Sequence, residues 1–263
     1  MTNTKTFFAA LIKSLKADCV CDIGSRDGDQ ALLFRHLRST ADVFAFEANP
    51  INYKAMVGNS NLMTERVQIF PYAITNVKGT AKFHVTDVDY SSPDSNKGTS
   101  SLLLSDEVRI RETVQVECRR IDEFILSHSP ESRSIGLWID VEGAEFAVLE
   151  GISEIKERVF AVHAESAEIP IRHGQRTLAE LVALMRDFGF LLCASNIRPE
   201  ARWGDVVFVN RAAIEALGFR FSICKLKGRL SFWFPVDRLA VFLKARFPAA
   251  YRTLRRVYLT VGT

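Results

Sequence analysis

Short apolar runs alternate with segments of helical periodicity along the first 210 residues. Two segments, 29–38 and 177–189, place apolar residues three and four positions apart, which is typical of amphipathic helices. Apolar runs with the length and continuity of buried strands lie at 19–24, 42–47, 67–74, 135–140 and 158–166. This alternation predicts an α/β fold with a doubly wound, mostly parallel sheet that carries helices on both faces.

The pattern changes in the middle and at the end of this region. Residues 79–86 and 113–119 alternate as antiparallel strands, and a polar segment rich in Ser, Asp and Gly, 87–101, lies between them. A loop this long beside a ligand crevice is typical of a lid or a substrate loop. Residues 190–195 and 204–210 predict a closing pair of strands, which brings an antiparallel strand into the sheet.

The charge distribution changes after residue 210. Residues 211–263 contain 11 Lys or Arg and two acids, a net charge of +9, whereas the first 210 residues carry −6. Aromatic residues are interleaved with these basic residues, and Pro235 can open a helix. We therefore divide the chain into a main domain, residues 1–210, and a basic, aromatic, helical extension, residues 211–263.

Cysteine usage and the lack of long apolar runs indicate a cytoplasmic protein. The five cysteines are an odd number and lack paired metal-ligand spacing. No run of about 18 apolar residues occurs, and the N-terminus lacks the cleavage pattern of a signal peptide.

The extension leaves several partners open. A basic amphipathic segment suits the inner face of a membrane, where it would contact a lipid-linked substrate. It also suits an anionic glycan, or a cap that packs on the domain or on the second subunit of a homodimer. Nucleic acid is disfavoured because no base-pocket motif of the N/D-P-P-Y type is present.

The first candidate for ligand chemistry is the glycine turn "DIGSRDG", which follows a strand and opens a helix. Gly24 and Gly28 would let the backbone approach a ligand at the carboxyl end of that strand. Glu47 ends the next strand and is placed to accept hydrogen bonds from both hydroxyls of a ribose. Neither a Walker lysine nor a three-glycine phosphate loop is present. A nucleoside cofactor without a phosphate cradle indicates S-adenosylmethionine.

Several motifs carry a family resemblance in this order: "VCDIGSRDG", "FEANP", "AITNVKGTAKF", "GTSSLL", "RRIDEFI", "LWIDVEGAEFAVLEG" and "DVVFVN". Together they resemble the FkbM family of S-adenosylmethionine-dependent methyltransferases over about residues 18–210, and "IDVEGAEFAVLEG" is the most specific of them. The resemblance implies a Rossmann-like enzyme that methylates hydroxyls of sugars or natural products. The chain departs from the family at "SRD", which includes Arg26 and Asp27, where "AN" and a small residue are more usual.

The resemblance also implies roles for individual residues. Asp22, Gly24 and Gly28 would line the methionine end of the cofactor and Glu47 would hold its ribose, while Ala73 and Ile74 would flank the adenine. The predicted cofactor-binding residues are Asp22, Gly24, Ser25, Gly28, Glu47, Ala48, Asn49, Ala73 and Asp140.

The acids of "WIDVEG" are the main candidates for catalysis. Asp140 ends the fourth core strand, and Glu142 is expected to start the following helix, where the helix dipole favours a carboxylate. The pair has three interpretations: a helix cap, a base that takes the acceptor proton, or ligands of a divalent cation. His163 and Glu165 alternate onto one face of the fifth strand and would border the same crevice. The predicted catalytic residues are Asp140, Glu142, His163 and Glu165.

The leading hypothesis is an O-methyltransferase that uses S-adenosylmethionine to methylate a hydroxyl of a glycan or sugar-containing metabolite. One alternative is a metal-dependent O-methyltransferase of a natural product. Another is a non-catalytic nucleoside-binding or scaffold module. The sequence does not specify the acceptor, which we expect to meet the 87–101 loop and the extension.

Overall fold

The computed structural model of the chain describes residues 3–92 and 95–233. The strands are β1 (Cys19–Ile23), β2 (Asp42–Phe46), β3 (Gln68–Phe70), β4 (Tyr72–Ile74), β5 (Gly79–Thr86), β6 (Ile110–Arg119), β7 (Ile135–Ile139), β8 (Val159–Ala167), β9 (Phe190–Ser195) and β10 (Trp203–Asn210). The helices are α1 (Thr4–Ser14), α2 (Asp29–Leu37), α3 (Pro50–Val57), α4 (Ser60–Thr64), α5 (Ile121–His128), α6 (Glu145–Glu150), α7 (Leu178–Asp187), α8 (Arg211–Leu217) and α9 (Phe219–Trp233).

Seven strands form the main sheet in the order β3-β2-β1-β7-β8-β10-β9. In this order, the first five strands, β3, β2, β1, β7 and β8, pair in parallel. Strand β10 pairs antiparallel to both β8 and β9. The predicted α/β fold, with a mostly parallel sheet and an antiparallel closing strand, is therefore confirmed. The strand order reverses between β1 and β7, which opens a crevice at their carboxyl ends.

Helices cover both faces of this sheet. Leu137 of β7 lies in an apolar cluster beneath α5, α6 and α7. The next residue, Trp138, points to the opposite face and packs against Phe8 of α1 and Phe34 of α2. Alternate residues of each strand thus face different helix layers, which explains why these strands are apolar throughout.

The predicted third strand, residues 67–74, is wrong as a single element. Pro71 divides it into β3, at the edge of the main sheet, and β4, in a second sheet of order β4-β6-β5. Proline has no N–H for a strand ladder and fixes its own φ, so the chain leaves one sheet there and joins the other. The second sheet stands over the carboxyl end of β2 and carries the loop that begins at residue 87.

The described part of the extension packs on the main domain. Ala213 and Leu217 of α8 and Cys224 of α9 are buried in the same cluster as α1. The ring centroids of Phe7 and Phe221 lie 5.9 Å apart in an edge-to-face arrangement. The helix expected at Pro235 lies outside the described residues. In the described ranges, no helix has both the length and the hydrophobicity that a membrane span requires.

Candidate functional site

A cleft of about 250 Å³ opens at the carboxyl ends of β1, β2, β7 and β8, a usual position for a ligand site in this type of sheet. The predicted residues that line it are Asp22, Gly24, Ser25, Glu47, Asp140, Glu142 and Glu165. A smaller, more apolar pocket adjoins the cleft, and Gly24, Glu47 and Ser100 line both. Ala48, Ala73 and Ile74 line the smaller pocket. Glu47 therefore lies at the boundary between a polar cleft and an apolar pocket.

The glycine turn lets the ends of β1 and β7 approach each other closely. Gly24 has φ +82°, and a Cβ there would lie 1.9 Å from the carbonyl oxygen of Asp140. Only glycine satisfies both conditions. Gly28 has φ +85°, and its missing side chain leaves room for Leu62 of α4. Gly28 precedes α2 and does not line the cleft in the described part of the chain.

Asp22 fixes the shape of this turn from inside. Its Oδ2 accepts hydrogen bonds from the Ser25 hydroxyl at 2.5 Å and from the Ala31 N–H in α2 at 3.1 Å. Burial raises the pKa of Asp22 to about 7, and the Ser25 hydrogen bond opposes that rise. A carboxylate in this position connects β1 to α2 and stands beside the ligand space.

Arg26, where the chain departs from the family pattern, stands at the rim of the cleft. Its φ is +56°, and its guanidinium pairs with Asp27 at 2.6 Å. The aliphatic part of its side chain approaches Gly98 of the 87–101 loop. The substituted residues therefore leave the turn formed and add a contact to the loop.

Glu47 is held by the backbone around it. Its carboxylate accepts the Arg26 N–H at 2.6 Å and the Asn49 N–H at 2.7 Å. Burial raises its pKa to about 7, while these two hydrogen bonds lower it. Asn49 is fully buried and caps α3 through Ile51, and its amide donates to Tyr90 and Ser100. Asn49 therefore joins the strand end to the 87–101 loop and does not line either pocket.

The segment after β7 differs from the prediction. Glu142 does not start a helix, because α6 begins at Glu145 and residues 140–144 form a turn. Glu142 and Gly143 have φ of +57° and +101°. Oε1 of Glu145 accepts the N–H groups of Val141 and Gly143 at 3.2 and 3.1 Å. The carboxylate that satisfies backbone N–H groups here is therefore that of Glu145, and the side chains of Asp140 and Glu142 face the cleft.

Arg172 is a site residue that the sequence did not reveal. Its side chain is 5% exposed, and Nη2 donates to Glu142 Oε2 at 2.5 Å and to the carbonyl of Thr99 at 3.0 Å. A Cβ on Gly143 would lie 2.9 Å from Cδ of Arg172, so the glycine makes room for this side chain. Arg172 therefore ties the strand-end turn to the 87–101 loop. Because its partners are distant along the chain, no local pattern predicts it.

Asp140, Glu142 and Glu165 form one cluster, in which one carboxylate oxygen from each lies within 4.8 Å of the others. Surrounding protein and the charges of Glu142 and Asp205 raise the pKa of Asp140 to about 6, although its side chain reaches solvent in the cleft. Burial, with Asp140 and Glu142 adding to it, raises the pKa of Glu165 to about 9. The larger rise at Glu165 favours a proton on Glu165 over one on Asp140 near neutral pH.

His163 lies on the predicted face but beneath the cleft. It is 1% exposed and stacks on Trp138 with ring centroids 3.5 Å apart. Burial holds its pKa well below the usual value, so the ring is neutral. His163 lies two residues before Glu165 on β8, farther from the carboxyl end of the strand. It is not among the described residues that line the cleft.

Two further residues of the cleft come from distant parts of the chain. Lys5 of α1 lies 5.5 Å from the centroid of the Trp138 ring, and its charge lowers the pKa of Asp140. Trp203, at the start of β10, is 47% exposed. Neither stands in a motif, and only the packing of α1 and β10 beside β8 brings them to the site.

Comparison with known proteins identifies the family. The model of the methyltransferase FkbM domain matches residues 22–192. The chain is 28% identical over 197 residues to the 2-O-methyltransferase NoeI of Sinorhizobium fredii (strain NBRC 101917 / NGR234), covering 73% of this chain and 79% of that protein.

Solved structures also match. The methyltransferase FkbM of Methylobacillus flagellatus KT is 13% identical with a TM-score of 0.44, over 74% of this chain and 44% of that one, so the present chain spans less than half of its length. An O-methyltransferase from Bacillus cereus in complex with SAH is 12% identical with a TM-score of 0.45, over 78% of this chain and 80% of that one. On the family match, the chain belongs to the FkbM family and is an S-adenosylmethionine-dependent methyltransferase.

Proposed function

We propose that the protein transfers a methyl group from S-adenosylmethionine to a hydroxyl of a glycan or sugar-containing metabolite. The observation that carries the proposal is the position of Asp140 in the cleft, where its backbone carbonyl lies against Gly24 and its carboxylate lies beside those of Glu142 and Glu165. The similarity to a 2-O-methyltransferase supports oxygen as the acceptor atom.

The residues around Glu47 fit the cofactor. The apolar pocket lined by Ala48, Ala73 and Ile74 suits an adenine ring, and Glu47 at its border has acceptor capacity left for ribose hydroxyls. Gly24 lines both the pocket and the cleft, and its missing side chain lets the carbonyl of Asp140 lie against the end of β1. These features support cofactor binding with the adenosine at β2 and β4 and the methionine end toward Asp22 and Asp140.

Bound S-adenosylmethionine supplies an electrophilic methyl group, and the protein must position the acceptor oxygen and take up its proton. Asp140 is suited to be the base because its pKa of about 6 leaves it ionised but still basic near neutral pH. Glu165 holds its own proton and would donate a hydrogen bond that orients the acceptor. Arg172 keeps Glu142 in place and neutralises its charge. Two neighbouring acids thus take opposite protonation states, as acid and base chemistry requires.

Calorimetry with S-adenosylhomocysteine, followed by an assay with methyl-labelled S-adenosylmethionine on cell-extracted glycans and metabolites, tests the proposal. We expect binding by the wild type and by Asp140→Asn, with labelling of a sugar-containing product only by the wild type. Lack of binding by the wild type would instead favour the scaffold alternative. Labelling that is confined to compounds without a sugar would disprove the acceptor class.

The carboxylate cluster also favours a second candidate, a metal-dependent O-methyltransferase. Oxygens within 4.8 Å of one another can ligate one divalent cation, which would acidify the acceptor hydroxyl. Turnover measured with and without EDTA separates the two candidates. The metal-free reaction keeps its rate, whereas loss of turnover that Mg²⁺ or Mn²⁺ restores would establish the metal-dependent one.

The exposed face of α9 supports a contact with an anionic membrane surface. Phe219, Leu226 and Leu230 lie on one face of this helix and are 81%, 53% and 49% exposed. Arg220 and Arg229 flank them, and residues 211–263 carry +9. Apolar residues flanked by basic ones bind anionic lipid interfaces.

We therefore propose that α9 lies on anionic lipid and brings the active site to a lipid-linked acceptor. Co-sedimentation with phosphatidylglycerol vesicles checks this, with phosphatidylcholine vesicles as the control. Phe219→Ser with Leu226→Ser should abolish the sedimentation, and equal sedimentation with both lipids would contradict it.

A further inference from the structure

A second cavity of about 410 Å³ lies beside the catalytic cleft. Lys5 and Trp203 line both spaces, so they form the boundary between them. The cavity is bounded by the start of α1, the segment between β9 and β10, and the first residues of β10. A ligand that occupies it can therefore extend directly into the cleft.

The aromatic wall of this cavity is Trp203. Its side chain is 47% exposed at the first position of β10, although large apolar side chains at strand positions are usually covered. An indole offers a flat, electron-rich face with a polar edge. The apolar C–H face of a pyranose ring packs on such a surface, while its hydroxyls point outward to polar groups.

The polar wall is held in place by a hydrogen-bond network. The Asn196 amide donates to Asp205 Oδ2 at 2.8 Å, and the Asp205 N–H donates to Asn196 Oδ1 at 2.7 Å. The hydroxyl of Thr4, which is 1% exposed, donates to the same Oδ2 at 3.3 Å. Gly204 has φ +155°, and a Cβ there would lie 2.6 Å from Asn196 Oδ1, so glycine permits this close arrangement. These groups are ordered before any ligand arrives, which lowers the cost of binding.

The chemistry that remains available suits hydroxyl groups. Among the described residues, Asp205 uses only Oδ2, which leaves Oδ1 to accept hydrogen bonds. The guanidinium of Arg198 has no side-chain partner among the described residues and lines the same space. Lys5 also lines the cavity, so donors and an acceptor are both present, and a carboxylate and a guanidinium together bind neighbouring hydroxyls as acceptor and donor.

We propose that this cavity, with Trp203 as its platform, is a subsite for a pyranose ring of the acceptor glycan. It would hold the sugar next to the one that is methylated, and it would select acceptors that contain more than one ring. The proposal rests on the glycan acceptor of the proposed function and adds the position of the second ring.

Saturation-transfer NMR with the methyl pyranosides of glucose, galactose, mannose and N-acetylglucosamine tests the subsite. We expect transfer to the protons of one ring face for at least one sugar. Trp203→Ala should weaken this binding about five- to tenfold because it removes the stacking surface, and Trp203→Phe should keep most of it. Met63→Ala, which removes an exposed apolar side chain from α4, is the matched control and should bind like the wild type.

Calorimetry with S-adenosylhomocysteine on the same variants separates the two proposals. Unchanged cofactor affinity in Trp203→Ala shows that the protein is folded and that only the subsite is lost. If no pyranoside binds the wild type, or if Trp203→Ala binds as well as the wild type, the subsite is disproved and the methyltransferase assignment is untouched. Absence of cofactor binding in the wild type would count against the proposed function.

Discussion

Glu47 and Asp140 end two strands at the same edge of the sheet, yet their surroundings are opposite. Glu47 is 6% exposed and accepts two backbone N–H groups within 2.7 Å. Asp140 reaches solvent in the cleft and stands beside Glu142 and Glu165. Both carboxyls have raised pKa values, about 7 and about 6, with burial as the largest cause in each.

The difference teaches that a carboxylate at a strand end acquires its role from its neighbours. Backbone donors fix the orientation of Glu47, which suits it to hold a ligand that does not react. Asp140 has acidic neighbours and an open side, which suits it to exchange a proton with an acceptor. The following predictions test whether the two sites separate binding from chemistry in this way.

The largest effect is expected for Asp140→Asn. Loss of a positioned base lowers kcat by about 100- to 10,000-fold, while S-adenosylhomocysteine affinity stays within about twofold. Initial rates with labelled S-adenosylmethionine and calorimetry measure the two quantities. Equal losses in both would place Asp140 in cofactor binding alone.

Glu47→Gln should show the reverse separation. It removes the charge that would accept the ribose hydroxyls, so S-adenosylhomocysteine affinity should fall by about 10- to 100-fold. At saturating cofactor, kcat should change by less than about threefold. A kcat loss as large as that of Asp140→Asn would contradict the comparison.

The pH profile sharpens the comparison further. Asp140 must be ionised to take a proton, so kcat/KM for the acceptor should fall about tenfold per pH unit below pH 6 and level off above it. With cofactor saturating, this acid limb should persist in Glu47→Gln and disappear from the residual activity of Asp140→Asn. Because the cluster titrates as a coupled group, the midpoint belongs to the cluster as a whole. A profile that is flat between pH 5 and 8 in the wild type would exclude a carboxylate base.

The smallest effect is expected for Arg172→Lys. The lysine keeps the positive charge but cannot reach both Glu142 and the carbonyl of Thr99 as the planar guanidinium does. We expect the KM of the acceptor to rise about three- to fivefold with cofactor affinity unchanged. Arg176→Lys is the matched control, because that arginine lies nearby in sequence, pairs with Glu180, lies over the Phe146 ring and does not line the cleft. An equal rise in the control would remove the role assigned to Arg172.

Local patterns predicted the fold because each strand and helix has its own signal. Apolar runs located the core strands, and Gly24 and Glu47 located the end of the sheet at which the cleft opens. The exception in the sheet is Pro71, where a single apolar run continues through a change of sheet. The sequence shows the proline that interrupts the strand. That the chain then enters another sheet depends on the strands that pair with β4, which the local pattern does not show.

The candidate site was less predictable where it depends on contacts between distant residues. Glu142 was expected at a helix start, but a turn displaces the start of the helix to Glu145. This turn needs two residues with positive φ, and the sequence gives little sign of it because only one of the two is glycine. The alternation along β8 correctly placed His163 and Glu165 on one face. It did not show that Trp138 stacks on the histidine beneath the cleft. Arg172 reaches the turn only in the folded chain, so sequence spacing gives no sign of it.

The packing of α1 against α9 has a consequence for synthesis of the protein on the ribosome. The thiol of Cys224 lies 3.7 Å from the carbonyl oxygen of Ala10, 214 residues away, and the Asn3 N–H donates to the carbonyl of Gly228 at 2.9 Å. During synthesis, α1 therefore waits for almost all of the sheet, and for α9, before its buried face is covered. Until then Phe7 and its neighbours lack the residues that bury them in the folded protein.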